Sequence, residues 1–218
     1  MNTAVGIGMT SARTRARMID RLRERGIRDE RVLAALAAVP RHLFVEEALA
    51  SRAYEDTALP LGSSQTISQP YVVARMIEIL RAGGRELGKT LEIGAGCGYQ
   101  ASVLAELADE VYAVERIGVL VERARLNLRR AGQLKVRLQY ADGQFGLPEA
   151  APFDTIILAA ATPQLPPALL SQLAPGGRMI LPLGASEQHL SLIERRPEGF
   201  VESRLDDVRF VPLRQGVE

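Results

Sequence analysis

Apolar side chains recur along this chain with two different periods, and the change between them divides it. From Ser11 to about Gly26 they return every three or four residues, with Met18, Ile19 and Leu22 on one face. This predicts a helix that Gly26 ends. Asp29 is placed to cap the start of a second helix, with Val32, Leu33 and Leu36 apolar and Pro40 beyond its end. After Pro70, the run YVVARMIEIL repeats the amphipathic pattern, with the proline in its first turn. From Lys89 the rhythm shortens. TLEI, VYAV, VRLQY, FDTIILAAA and RMILPL read as strands, and helices are expected over Ala101 to Leu107, Ile117 to Arg130 and Pro167 to Leu173. Strands that alternate with helices in this way build a mainly parallel sheet with helices on both faces. The tail breaks the alternation: HLSLIERR and ESRLDDVRFVPL have no helix between them, so the last pair is expected to be antiparallel.

The pattern therefore predicts a doubly wound α/β fold with about seven strands, antiparallel C-terminal strands and an N-terminal helical layer. With 218 residues, 47% of them hydrophobic, the chain is long enough for one domain with a substantial core. The expected division is a loosely ordered stretch over residues 1–10 and a single domain over 11–218. Within that domain, 11–69 hold the helices and a loop, and 70–218 hold the α/β core.

Charge and composition remove several functions. Twenty-seven basic against 26 acidic residues leave a net charge of +1, whereas bulk nucleic-acid binding needs a surplus of cations. The arginines at 13, 15, 17, 21, 23 and 25 interleave with Asp20, Glu24, Asp29 and Glu30, which reads as a solvated helix face. The lone cysteine, Cys97, allows no internal disulfide and no cysteine cluster, and His42 and His189 lie too far apart for a zinc-binding helix motif, so no metal is expected. The start MNTAVGIGMT has no basic residue ahead of its short apolar stretch, and no apolar run approaches the ~20 residues of a membrane span. The chain reads as a soluble, cytoplasmic protein of a reducing compartment.

The chemistry concentrates in LEIGAGCGYQ, residues 91–100, where a strand runs into glycines at 94, 96 and 98 and then a helix. Glycine allows both the sharp turn and close approach to a ligand. A dinucleotide fingerprint wants a glycine at position 99, which here is Tyr99, and the charge of Glu92 opposes a pyrophosphate. Glu115 ends the next strand, where a carboxylate can accept from ribose hydroxyls, and Asp142 with Gly143 follows the third. Three acids along one sheet edge suit an adenosine that carries a sulfonium and an amino-acid tail.

These residues resemble the S-adenosylmethionine-dependent methyltransferases, whose glycine motif E/D-x-G-x-G-x-G reads here as Glu92, Gly94, Gly96 and Gly98. LAPGGRMILPLG, residues 173–184, resembles a recurring strand of that class. Upstream, LPLGSSQTISQPYVVARM at 59–76 resembles the signature of protein-L-isoaspartate O-methyltransferases. VPRHLFV, AYEDTALPL, VYAVERI, PFDTIIL and VRFVPL carry the likeness over roughly residues 18–213. Ser64 departs from it, standing where the family commonly has glycine. The resemblance implies a Rossmann-like methyltransferase fold and transfer of a methyl group from S-adenosylmethionine, leaving S-adenosylhomocysteine, to the free α-carboxylate of L-isoaspartyl residues in damaged proteins and peptides. It implies no metal, no nucleic acid and no membrane, and the chain is expected to act as a monomer. It marks Ser68 as catalytic, and places Gln65, Thr66, Glu92, Gly94, Ala95, Gly96, Glu115, Asp142 and Gly143 at the cofactor and Ile67 and Val211 at the acceptor. Spacing alone reads Ser68 differently, as a helix N-cap before Gln69 and Pro70. His42 reads as a packing or surface residue and Cys97 as a small filler. A methyltransferase for a small acceptor, a non-catalytic binding protein and a nicotinamide dehydrogenase are the competing readings, the last opposed by Tyr99 and Glu92.

Overall fold

The computed structural model describes residues 8–218. The loose N-terminus expected over residues 1–10 lies, for residues 1–7, outside the described residues, while Gly8–Thr10 form a single 3-10 turn. Helix α1 (Ala12–Glu24) starts at Ser11, whose hydroxyl accepts from the amide of Thr14, and buries Met18, Ile19 and Leu22. Helix α2 (Glu30–Ala38) is capped by Asp29, which accepts from the amides of Arg31 and Val32. Both begin where the sequence pattern places them, because a side-chain oxygen takes amides that the first turn leaves unpaired.

Most of the arginine face of α1 is exposed, as expected, but four members reach other segments, Arg23 by a pair with Glu30 of α2. Arg15 donates to the carbonyls of Ala37 and Ala38, Arg21 to that of Tyr54, and Arg25 pairs with Asp56. They tie α1 to the segments that follow it.

A short hairpin, β1 (Leu59–Gly62) and β2 (Gln65–Ile67), comes next and leads into α3 (Pro70–Leu80). The sequence pattern did not anticipate this hairpin, since three- and four-residue strands leave too few positions for an alternation to show. Its two-residue turn places Ser63 at φ 49° and Ser64 at φ 54°. Positive φ at both central positions matches the twist of a tight hairpin and is costly for any residue but glycine, asparagine or aspartate. Ser64→Gly should relieve the strain at one position and raise the melting temperature by about 1–3 °C. A thermal melt checks this, and an unchanged or lowered midpoint refutes it.

The core follows: β3 (Lys89–Ile93), α4 (Tyr99–Ala105), β4 (Glu110–Glu115), α5 (Gly118–Arg130), β5 (Val136–Tyr140), β6 (Phe153–Leu158), α6 (Pro167–Gln172), β7 (Leu173–Leu183), β8 (Gln188–Arg196) and β9 (Gly199–Val208). One seven-stranded sheet has the order β5-β4-β3-β6-β7-β8-β9, parallel through β7 and antiparallel at β8 and β9. This is the expected fold class. Helices α1 to α5 share the larger core on one face, with Val111, Ala113 and Ile157. Helix α6 covers the other face over Leu91, Ile93, Val114 and Ile156. Order reverses between β3 and β6, so the crevice for a ligand opens at their carboxyl ends.

Several boundaries differ from expectation, four of them with a visible local cause. Helix α4 begins at Tyr99 rather than Ala101, because Gly98 at φ 86° lets a helical turn start abruptly. Strand β6 stops at Leu158, and Ala159 turns to donate its amide to Ile93. Strand β7 starts at Leu173, ahead of Arg178, with a register shift that absorbs the extra residues. Strand β9 ends at Val208: the amide of Phe210 goes to the Gln188 side chain, and Val211 and Leu213 exchange hydrogen bonds with Ala161 instead.

Candidate functional site

The glycine loop leaves β3 at the switch point. Gly94, Gly96 and Gly98 have φ of 85°, 55° and 86°. A Cβ on Gly94 or Gly96 would meet nothing closer than ordinary contact, so conformation, not crowding by the protein, demands glycine there. Gly143 is the opposite case: a Cβ would stand 2.5 Å from the Ile93 side chain, and only glycine lets the turn after β5 press against β3. The amides of Gly94 and Ala95 both donate to the carbonyl of Val114, and that of Gly96 to the Glu115 carboxylate, which fastens the loop to the end of β4.

Glu115 also accepts from the amides of Arg116 and Ile117. Its carboxylate is thereby aimed, with lone-pair capacity left on Oε2, toward the crevice. Glu92 is different. It is fully buried on β3, and neither carboxyl oxygen has a hydrogen-bond partner among the described residues. Burial pushes its pKa up to about 8; Gln100 nearby pulls it down and the charge of Glu115 pushes it up again. The Gln100 amide is buried and unpartnered as well. Unpaired buried groups are costly, and two of them facing one cavity mark a place built for a polar ligand.

Tyr99, where a dinucleotide fold would have glycine, packs edge-on against Phe44, ring centroids 5.6 Å apart. The guanidinium of Arg41 lies 4.6 Å from its centroid. Arg41 is wholly buried, donates to the carbonyls of Ala53 and Thr57, and has no carboxylate partner among the described residues. Burial lowers its pKa from the usual arginine range, with Tyr99 and Cys97 opposing that. Sequence reading passed over Arg41; its place in VPRHLFV was the available signal. Cys97 is buried in the wall of the inner cavity described below, and burial pushes its thiol up to about 11, which disfavours the thiolate. His42 bonds to the hydroxyl of Tyr54 and lines neither cavity described below.

One cavity holds Gln65, Thr66, Ile67, Ser68, Glu92, Gly94, Ala95, Gly96, Glu115, Gly143 and Val211 in its wall. Of the residues that the resemblance places at the reaction centre, the cofactor or the acceptor, only Asp142 is absent from it. Asp142 caps the following 3-10 turn through Gln144, and its other oxygen takes the amide of Gly216. A second groove runs outward between α3 and the end of β9, past Arg25, Tyr71, Arg75 and Phe210. The two meet at Thr66, Ser68, Ala159 and Val211, which line both.

The structure bears on the capping reading of Ser68. The cap position of α3 is Gln69, whose side chain makes no capping bond. The first-turn amide of Tyr71 is taken from a distance by Asp56, at 2.9 Å, and the Gln69 side chain donates to the Asp56 carbonyl. Ser68 has no hydrogen bond among the described residues, so it does not cap the helix. Asp56 is the second residue that sequence reading missed. It sits in AYEDTALPL, and nothing local announces that it serves a helix 15 residues on.

Among the described residues no helix is long and apolar enough to cross a membrane, and no group of three or more His, Cys, Asp or Glu is placed to hold a metal ion.

Residues 13–218 match the family model described as protein-L-isoaspartate(D-aspartate) O-methyltransferase (PCMT). The chain is 71% identical over 213 residues to the protein-L-isoaspartate O-methyltransferase of Dechloromonas aromatica (strain RCB), covering 98% of this chain and 99% of that one. It is 64% identical over 208 residues to the same-named protein of Azoarcus sp. (strain BH72), covering 95% and 96%. Among solved structures it is similar to a protein-L-isoaspartate O-methyltransferase, with a TM-score of 0.83 at 28% identity over 93% of this chain and 67% of that one. A Plasmodium falciparum protein named as a member of the same family, in complex with S-adenosyl-L-homocysteine, gives a TM-score of 0.79 at 25% identity over 92% and 98%.

Proposed function

Because the chain belongs to the protein-L-isoaspartate(D-aspartate) O-methyltransferase family, we propose that its residues methylate the free α-carboxylate of L-isoaspartyl residues by positioning alone, with no general base. The observation that carries this reading is the meeting of the two cavities at Ser68. The inner one suits S-adenosylmethionine: Glu92 would face its cationic amino-acid end, Glu115 its ribose, and Gly94, Ala95 and Gly96 would run beside it. When bound, that cofactor supplies an already activated methyl group. The outer groove would hold the acceptor peptide, with the backbone of Val211 beside it, while Ile67 would reach the acceptor only from the wall of the inner cavity.

A carboxylate has a pKa of about 4 and is ionised at neutral pH, so nothing need remove a proton from it. Thr66, Ser68, Ala159 and Val211, the residues common to both cavities, include no group that titrates near neutrality. What remains is alignment, which can supply about 7–11 kcal/mol of a barrier. The Ser68 hydroxyl would donate to the acceptor carboxylate and aim it inward, while the apolar wall excludes water that would solvate the nucleophile. Residues 11–218 would act as one domain, in the cytoplasm and as a single copy, on damaged proteins.

Aspartyl and isoaspartyl peptides carry the same charge and differ by a methylene in the main chain, so selection between them must be geometric. Matched peptides at saturating cofactor should differ by at least about a hundredfold in kcat/KM, since an ångström of misplacement costs that much. The isoaspartyl profile should show no limb of an essential base between pH 6 and 9. Equal reaction of the two peptides would overturn the reading.

A further inference from the structure

Residues 53–57 line neither cavity, yet arginines from two parts of the chain converge on them. Buried Arg41 donates to the carbonyls of Ala53, at 2.9 Å, and Thr57, at 3.5 Å. Arg21 donates to that of Tyr54 at 2.6 Å, and Arg25, at the end of α1, pairs with the Asp56 carboxylate. A buried guanidinium without a carboxylate partner is costly, and here its donors are spent on fixing this turn. What the turn presents is Asp56, its side chain only 12% exposed. One Asp56 oxygen accepts from the amide of Tyr71 and the other meets Arg25, while the Asp56 carbonyl accepts from the Gln69 side chain. Arg25 also lies over the Tyr71 ring, 3.9 Å from its centroid. The residues one and three positions after Ser68 are therefore held by groups from outside α3. Ser68 itself stands three residues ahead of Tyr71, the spacing at which a serine hydroxyl caps a first-turn amide, and Asp56 already occupies that amide.

We propose that Asp56 is a positioning residue for methyl transfer: by taking the Tyr71 amide and anchoring Gln69, it fixes the backbone at Ser68 and leaves the Ser68 hydroxyl unspent for the acceptor carboxylate. This role deepens the reading of Ser68 above and rests on it. Asp56 lines neither cavity, so it acts only through the residues it holds, of which Ser68, Gln69 and Tyr71 face the outer groove. Without it the Tyr71 amide would need another acceptor, and the Ser68 hydroxyl has the spacing to become one.

The test compares turnover of an isoaspartyl peptide by Asp56→Ala, Asp56→Asn, Ser68→Ala and the double variant of Asp56→Ala with Ser68→Ala. Asp29→Ala, which removes the cap of α2 instead, serves as the control for lost stability. Asp56→Ala should lower kcat roughly tenfold or more with unchanged affinity for S-adenosylhomocysteine, since a misaimed donor costs alignment. Asparagine keeps an oxygen for the Tyr71 amide, so Asp56→Asn should retain kcat within about threefold. In the Ser68→Ala background, removing Asp56 should lower kcat by no more than about twofold, because the group it positions is gone. Asp29→Ala should melt lower and turn over normally. Equal losses in Asp56→Ala and Asp56→Asn would overturn the proposal, as would unchanged turnover of Asp56→Ala or a loss that multiplies with that of Ser68→Ala. Should Asp56→Ala fail to fold, Gln69→Ala removes the other bond of the frame. A kcat there that is unchanged, or that falls as far without Ser68 as with it, would overturn the proposal alone. If Ser68→Ala itself turns over normally, the reading of Ser68 falls, a result distinct from an enzyme that needs Ser68 and is indifferent to Asp56.

Discussion

Ser68→Ala is expected to lower turnover on an isoaspartyl peptide by about a hundredfold while leaving the melting temperature within about 1 °C and the affinity for S-adenosylhomocysteine unchanged. The rate loss follows from misalignment, because without the hydroxyl the acceptor carboxylate keeps its charge but loses the donor that aims it. The unchanged stability follows from the helix start. An N-cap serine would cost about 1 kcal/mol on removal, but α3 is served by Asp56, which accepts from the amide of Tyr71. Steady-state kinetics, calorimetry and a melt on one preparation decide this. A variant that melts several degrees lower and turns over normally would restore the capping role and end the catalytic one.

The affinity for S-adenosylhomocysteine should rise with pH, up to about tenfold per unit, from pH 6 to near 8. Glu92 is buried without a partner and holds its proton up to about pH 8. Only the ionised form can face the ligand's ammonium group, so binding below that pH must release a proton. Between pH 6 and 8 the dissociation constant should therefore fall by up to about a hundredfold, with proton release visible in buffers of different ionisation enthalpy. The linked effect on stability has the opposite sign in the free protein. A carboxyl whose folded pKa is raised keeps a proton that the unfolded chain has lost, so the free protein loses stability as pH climbs from about 4.5 to about 8. The ligand-induced rise in melting temperature should accordingly widen across the same interval. In Glu92→Gln both slopes should vanish and affinity at pH 8 should drop. A flat affinity profile in the unaltered protein would remove Glu92 from the site.

Both expectations depend on residues that differ in how far sequence could reveal them. Glu92 was legible as to place, since an acid two residues before a glycine run at a strand end sits at the carboxyl edge wherever the strand is parallel. Its lack of any partner was not legible, because that depends on what α4 and the neighbouring strands bring to the same face. Ser68 is the sharper case. Local spacing favoured a cap, and the family resemblance favoured chemistry. What removes the cap is Asp56, which no window around Ser68 contains.

Local sequence is enough to set the order and kind of most elements. Apolar periodicity set α1, α2, α3 and the strands from β3 to β8. Capping residues such as Ser11 and Asp29 set helix starts, and the glycines at 94, 96 and 98 set the loop. These are short-range effects, in which a residue and its neighbours within a turn or two contain the whole cause. The tertiary structure decided what depends on partners distant in the chain: the burial of Arg41 against Tyr99, the service of Asp56 to α3, and the early end of β9, where Val211 and Leu213 leave the ladder for Ala161. It also decided that Asp142 spends its oxygens on the amides of Gln144 and Gly216. A hydrogen-bonding group has one best partner in space and many candidates in sequence, and only folding the chain selects among them.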